Sequence, residues 1–255
     1  YLAGAASTVA AYFAGGYAGG LTAAVDKFAF ADDGRTSLGT GLSSARQRLA
    51  GAANAGTAAY FAGGTTGPNV DTVDKFAFSD DGRTTLGTGL SAATEHLAGA
   101  ANSGTAAYFA GGVVSGKVDT VDKFAFSDDS RTTLGTGLSL ARSTLAGAAN
   151  SGTAAYFAGG ANASGVVQTT IDKFAFSDDS RTTLGTGLTA AIMGLAGAAD
   201  SGVAVYFVGG VDAASANVST VDKFAFSDDS RTTLAIGLAS ATRFLAGAAN
   251  SGALA

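Results

Sequence analysis

The tripeptide Asp-Lys-Phe recurs at Asp26, Asp74, Asp122, Asp172 and Asp222, at spacings of 48, 48, 50 and 50 residues. The pair Tyr-Phe recurs with it, at Tyr12, Tyr60, Tyr108, Tyr156 and Tyr206. A period of about 50 residues belongs to repeat arrays, in which each unit buries a face only against its neighbours. A helical pair and a four-stranded blade both have that length, so the pattern inside the unit must choose between them.

Each unit reads as four short strands. The first is "LAGAA", ended by Asn-Ser-Gly; the second is "TAAYFAGG", ended by its own Gly-Gly. The third, "TVDKFAF", alternates Asp, Phe, Phe on one side with Val, Lys, Ala on the other. The fourth, "RTTLGTGL", follows the turn "SDDS" or "DDG". No window sustains a helical apolar stripe without two or more glycines, and aromatic and β-branched residues cluster in short runs bounded by turn residues. The pattern predicts an all-β, five-bladed β-propeller of about 20 antiparallel strands with essentially no helix. The blades fall at about 2–48, 49–96, 97–144, 145–194 and 195–244, in a single domain spanning 1–255. The Ala- and Gly-rich first strand suits the crowded axis, and Phe28, Phe30 and their equivalents are expected between blades.

"LAGAA" itself occurs six times, at Leu2, Leu49, Leu97, Leu145, Leu195 and Leu245, one more than five blades require. Either the natural chain continues into further repeats, or a terminal copy closes the ring and removes an exposed sheet edge. The expectation is that residues 245–255 supply that closing strand and complete the first blade.

The word "AYFAGG", an aromatic strand ending in a double glycine, followed by "TVDKFAF", a turn and a downstream Arg such as Arg46 or Arg142, resembles the kelch signature. The resemblance runs the length of the chain and implies a kelch-like propeller. The Trp expected early in the fourth strand is absent, and Leu38, Leu86, Leu134, Leu184 and Leu234 stand nearby. The Ala-, Gly-, Ser- and Thr-rich wording is similar to repeats of phage and bacterial surface proteins, which implies an extracellular, virion or cell-surface location. "SDDGRTTL" from Ser79 to Leu86 partly resembles the Asp box of sialidase-type propellers, which in that family is a structural turn. Calcium on Asp80 and Asp81 is the competing reading, but the adjoining Arg83 makes the turn self-neutralising, so the turn is preferred.

Composition narrows the chemistry. Of the 255 residues 47% are hydrophobic, enough for a large core. The absence of Cys removes disulfides, thiolate metal sites and thiol nucleophiles. A net charge of −5 with no basic face argues against nucleic acid as a partner. Apolar stretches are broken by Gly, Asp or Lys well short of a membrane span, so no membrane insertion is expected. The opening Tyr1, without Met or a signal-like leader, reads as a processed or trimmed piece. His96 is the only histidine, which rules out a His-based metal triad and, without Cys, a galactose-oxidase-like copper site. No cofactor, metal or catalytic constellation is expected, and the repeated Asp and Lys read as ties between blades.

Where the copies differ is more informative. In an up-and-down blade the turns after strands one and three share one face of the disc, and these are nearly invariant. The loops after Gly-Gly and before "LAGAA" share the other face, and there the copies disagree. Loops also vary simply because they face solvent. On this variable face the candidate binding residues are Arg46, Arg48, Asn69, Glu95, His96, Lys117, Arg142, Asn162, Met193, Asp212, Arg243 and Phe244. The function expected is a non-enzymatic structural or binding module that meets a protein or glycan there, alone, as a homo-oligomer or in a larger assembly. The alternative is a glycan-processing hydrolase or lyase with its site in the central funnel.

Overall fold

Turn residues divide each repeat where its wording divides it. A computed structural model describes residues 1–247. Within them lie five four-stranded antiparallel sheets, each in sequential strand order, and no helix. Blade 2 shows the pattern: Ala50–Asn54, Ala58–Ala62, Val73–Ala77 and Arg83–Thr85. Blade 1 starts at Ala3, blade 3 at Ala98, blade 4 at Ala146 and blade 5 at Ala196. The Gly-Gly pair ends the second strand because both residues take left-handed backbone, φ 67° at Gly63 and 100° at Gly64. Each fourth strand pairs over only three residues, shorter than the expected "RTTLGTGL". Two short ribbons, Arg142–Ser143 with Ala161–Asn162 and Ile192–Met193 with Val211–Asp212, extend the inner hairpins of blades 4 and 5.

Register gives every blade two unlike faces. Phe61 lies opposite Gly51 and Asp74, while Tyr60 lies opposite Ala52 and Lys75. Phe61, Asp74 and Phe76 therefore share one face and Tyr60 and Lys75 the other, as the period of two requires. The Phe face of one blade packs on the Tyr face of the blade before it. Four apolar clusters result, one at each contact between consecutive blades; the first joins Tyr12, Val25 and Leu42 of blade 1 to Phe61 and Phe76 of blade 2.

Polar ties repeat with the same period. The Tyr12 hydroxyl donates to Asp81 at 2.6 Å and the Lys27 ammonium reaches the same carboxylate at 2.9 Å. The equivalent trios are Tyr60, Lys75 and Asp129; Tyr108, Lys123 and Asp179; and Tyr156, Lys173 and Asp229. Burial, and then donation to Asp81, pushes the Tyr12 phenol up to about 12, so the donor stays protonated. The Lys partner is thus the second Asp of the next blade's turn rather than the Asp of Asp-Lys-Phe, which instead lies near the Arg of its own fourth strand, as Asp74 lies 3.9 Å from Arg83. The first Asp of that turn accepts the backbone N–H two residues on, as Asp80 does from Gly82 at 2.9 Å.

Two sequence expectations need correction. Phe76, Phe124, Phe174 and Phe224 are fully buried, but Phe28 is 38% and Phe30 46% exposed, because among the described residues no blade lies against that face of blade 1. The closing-strand expectation falls mainly on residues 248–255, outside the described residues. Of its start, Leu245–Gly247 does not complete blade 1, which has its own first strand, Ala3–Ala6. Instead it stands between blades 5 and 1: a Cβ on Gly247 would strike the Gly197 carbonyl, and one on Gly4 would strike the Gly247 carbonyl. Gly51, Gly99, Gly147 and Gly197 each face the preceding first-strand glycine in the same way. The axis is therefore ringed by six first-strand segments, packed too closely for any side chain at these positions.

Candidate binding site at the channel mouth

On the variable face, the residue just before each "LAGAA" turns toward the axis. These residues are Tyr1, Arg48, His96, Thr144, Gly194 and Phe244, and with the six leucines that follow them they line the mouth of the central channel. A chain of backbone bonds fixes the circle. Phe244 N–H donates to Gly194 O at 2.7 Å, Gly194 to Thr144 at 2.8 Å, Thr144 to His96 at 2.9 Å and His96 to Arg48 at 2.9 Å. Arg48 N–H reaches Tyr1 O at 3.3 Å, and the rings of Tyr1 and Phe244, 4.2 Å apart, bring the two ends together.

The backbone here is strained. Arg48, His96, Thr144 and Phe244 hold φ of 61°, 57°, 60° and 56°, the region glycine favours and Gly194 shares at 65°. For Thr144, β-branched, this conformation is a genuine outlier. A non-glycine residue in this region costs on the order of 1 kcal/mol or more. Four unlike side chains and Gly194 on five equivalent backbones, with Tyr1 beside them, are thus presented at one opening.

Their chemistry is aromatic and cationic. The Arg48 guanidinium lies 5.2 Å from the Tyr1 ring centre and pairs with Glu95 at 3.0 Å. His96 meets Tyr1 edge-on at 5.3 Å, and Arg243 lies 5.3 Å over Phe244. Burial, helped by Arg48 and Lys117 and opposed by Glu95, lowers the His96 imidazole to about 4, so it is neutral near pH 7 and offers one donor and one acceptor. None of the mouth-lining residues is acidic. Hydrolysis of a glycosidic bond by the usual route needs two carboxyl groups flanking it.

The structure sorts the twelve sequence-predicted residues. Arg48, His96 and Phe244 line the mouth, with Glu95 and Arg243 braced against them. Met193 adjoins Gly194 and pairs with Val211. Asn69 and Lys117 are struts between neighbouring loops, donating to Val113 O at 3.0 Å and Asn162 O at 2.6 Å. Asn162 and Asp212 accept backbone N–H groups of their own turns. Arg46 and Arg142 are fully buried and so cannot meet a partner. They pair with Asp74 and Asp172, each at 3.0 Å, and donate to Phe61 O and Phe157 O. Tyr1, Thr144 and Gly194 were missed, although their place before a "LAGAA" leucine is a signal the sequence contains.

No family model matches the sequence, and no curated protein matches it. Among solved structures, that of YjhT is similar in fold, with a TM-score of 0.73 over 91% of this chain and 83% of that one, at 14% sequence identity. At that identity the likeness concerns fold alone, and it agrees with the blade geometry: the chain is a β-propeller.

Proposed function

We propose that this propeller is a non-enzymatic binding module that takes a protruding group of a surface partner, a glycan or a protein side chain, at the channel mouth. The observation that carries the reading is the strained circle. In a molecule otherwise copied unit by unit, the positions before "LAGAA" carry different side chains on left-handed backbone, where glycine would serve the fold better. Backbone strain of this kind clusters at ligand clamps and active sites. Tyr1 and Phe244 supply apolar ring surface, Arg48 and Arg243 donors and charge, and neutral His96 a two-way hydrogen-bonding group. Aromatic residues and Arg are also types that interface cores favour.

The test is a glycan array and a surface-protein panel probed with the intact chain and with Arg48→Ala and Phe244→Ala. Loss of capture by about tenfold or more in both, with Ser127→Ala on the opposite face unchanged, supports the reading. Equal capture by all variants overturns it. Release of free sugar from a retained glycan would point instead to a glycan-processing enzyme.

A further inference from the structure

The four contacts between consecutive blades are copies of one another, and each has a Tyr-Lys half and an Asp-Phe half. Blade 5 ends with the Tyr-Lys half unmatched. Tyr206 and Lys223 have no carboxylate partner among the described residues, and Tyr206 is part-exposed where Tyr12, Tyr60, Tyr108 and Tyr156 are buried. Leu238 is part-exposed too, although Leu42, Leu90, Leu138 and Leu188 are buried. Blade 1 begins with the other half unmatched. Asp33 holds the left-handed backbone of Asp81, φ 56° in both, yet no Lys or Tyr reaches it. Phe28 and Phe30 stand exposed on the same side.

The two free halves face each other across one vacancy of known width. At the axis a single first-strand segment, Leu245–Gly247, separates Gly197 of blade 5 from Gly4 of blade 1, the spacing of one blade. Outside that segment, no strand among the described residues fills the sector. The vacancy is thus lined by apolar rings and Asp on one wall and by Tyr and Lys on the other. These are the two surfaces every blade of this molecule presents to its neighbours.

We propose that this gap is the docking site of a sixth blade of the repeat's own type, whose innermost strand starts from Leu245–Gly247 and which carries a Phe-Asp face and a Tyr-Lys face. Its turn Asp receives Tyr206 and Lys223, and its own Tyr and Lys reach Asp33. A flat partner or a second whole copy matches one wall at a time, whereas a single blade matches both.

The experiment compares the chain with a version in which Gly252 is followed by a copy of its own Thr153–Gly194. The extended chain is expected to melt higher, by on the order of 5 °C or more, and to resist proteolysis throughout the added segment. Lys223→Met is expected to leave the original chain's midpoint unchanged and to lower that of the extended chain by as much as Lys173→Met does. An added segment that is digested away with no change in melting overturns the proposal. So does an original chain that sediments as a dimer and is made monomeric by Phe30→Asp, since a second copy is then the occupant. Neither readout involves the channel-mouth side chains, so a failure of the binding function leaves this result separate.

Discussion

At the scale of single residues, the buried ion pairs show how one unit's chemistry depends on the next. Asp74 accepts from the Ser43 N–H and hydroxyl at 2.8 and 2.9 Å, from Thr85 at 2.6 Å and from Arg46. Asp122 has the same Ser and Thr partners, but Thr94 stands where Arg46 would be. The carboxylate can therefore do without the guanidinium, whereas the guanidinium, fully buried, cannot do without the carboxylate. Asp74→Ala is expected to destabilise by about 3–5 kcal/mol, the usual cost of a buried unpaired charge. Arg46→Thr is expected to cost clearly less, below about 2 kcal/mol, because Asp74 keeps its bonds from Ser43 and Thr85. Urea unfolding of both variants measures the difference, and equal losses would contradict this account. His96 sets a pH dependence. Its folded pKa, near 4, lies below the ordinary 6.5, so between those values the unfolded chain binds a proton that the folded chain refuses. Stability is then fully present above about pH 6.5 and falls as pH drops through the window. Melting temperatures at pH 7 and pH 5 should differ less in His96→Phe than in the parent.

At the scale of elements, the third strand carries the Phe that packs on the preceding blade. Its Phe is buried only where a blade precedes it, which makes the chain its own control. Phe76→Ala is expected to cost about 3–5 kcal/mol, as deletion of a fully buried ring does. Phe28→Ala, the same residue in the same register on an open face, is expected to cost below about 1.5 kcal/mol. Chemical denaturation of the two variants gives the comparison, and similar losses would mean that strand register, rather than blade contact, sets the value of the ring. The alternation Asp, Phe, Phe against Val, Lys, Ala was legible in "TVDKFAF" because a strand of period two has only two sides. Which side meets the preceding blade was not legible, because either orientation gives the same pattern. The Lys partner shows the same limit: its Asp lies in another unit's turn, 54 residues away for Lys27 and Asp81.

At the scale of the whole molecule, stability in such an array comes from contacts between neighbours. Among the described residues, blades 2, 3 and 4 each have two full contacts, and blades 1 and 5 have one apiece. Native-state hydrogen exchange is therefore expected to be slowest at the second and third strands of blades 2 to 4, and faster at Val25–Ala29 and Val221–Ala225. Uniform protection around the ring would show that the open sector does not weaken its walls.

The strands, the turns, the small residues at the axis and the division into a copied and a varied face all follow from local wording and its period. Alternation, turn chemistry and repeat length act over a few residues and are the same in every copy, so five blades were countable before any coordinates. Other properties required the folded ring. Arg46 and Arg48 lie two residues apart in one variable loop, yet one is sealed against Asp74 and the other opens onto the channel. Sequence cannot separate them, because the groups that bury Arg46 arrive from the next blade. The sixth "LAGAA" could be counted, but its place between blades 5 and 1 emerges only when the close approach of glycine backbones fixes how many inner segments surround the axis.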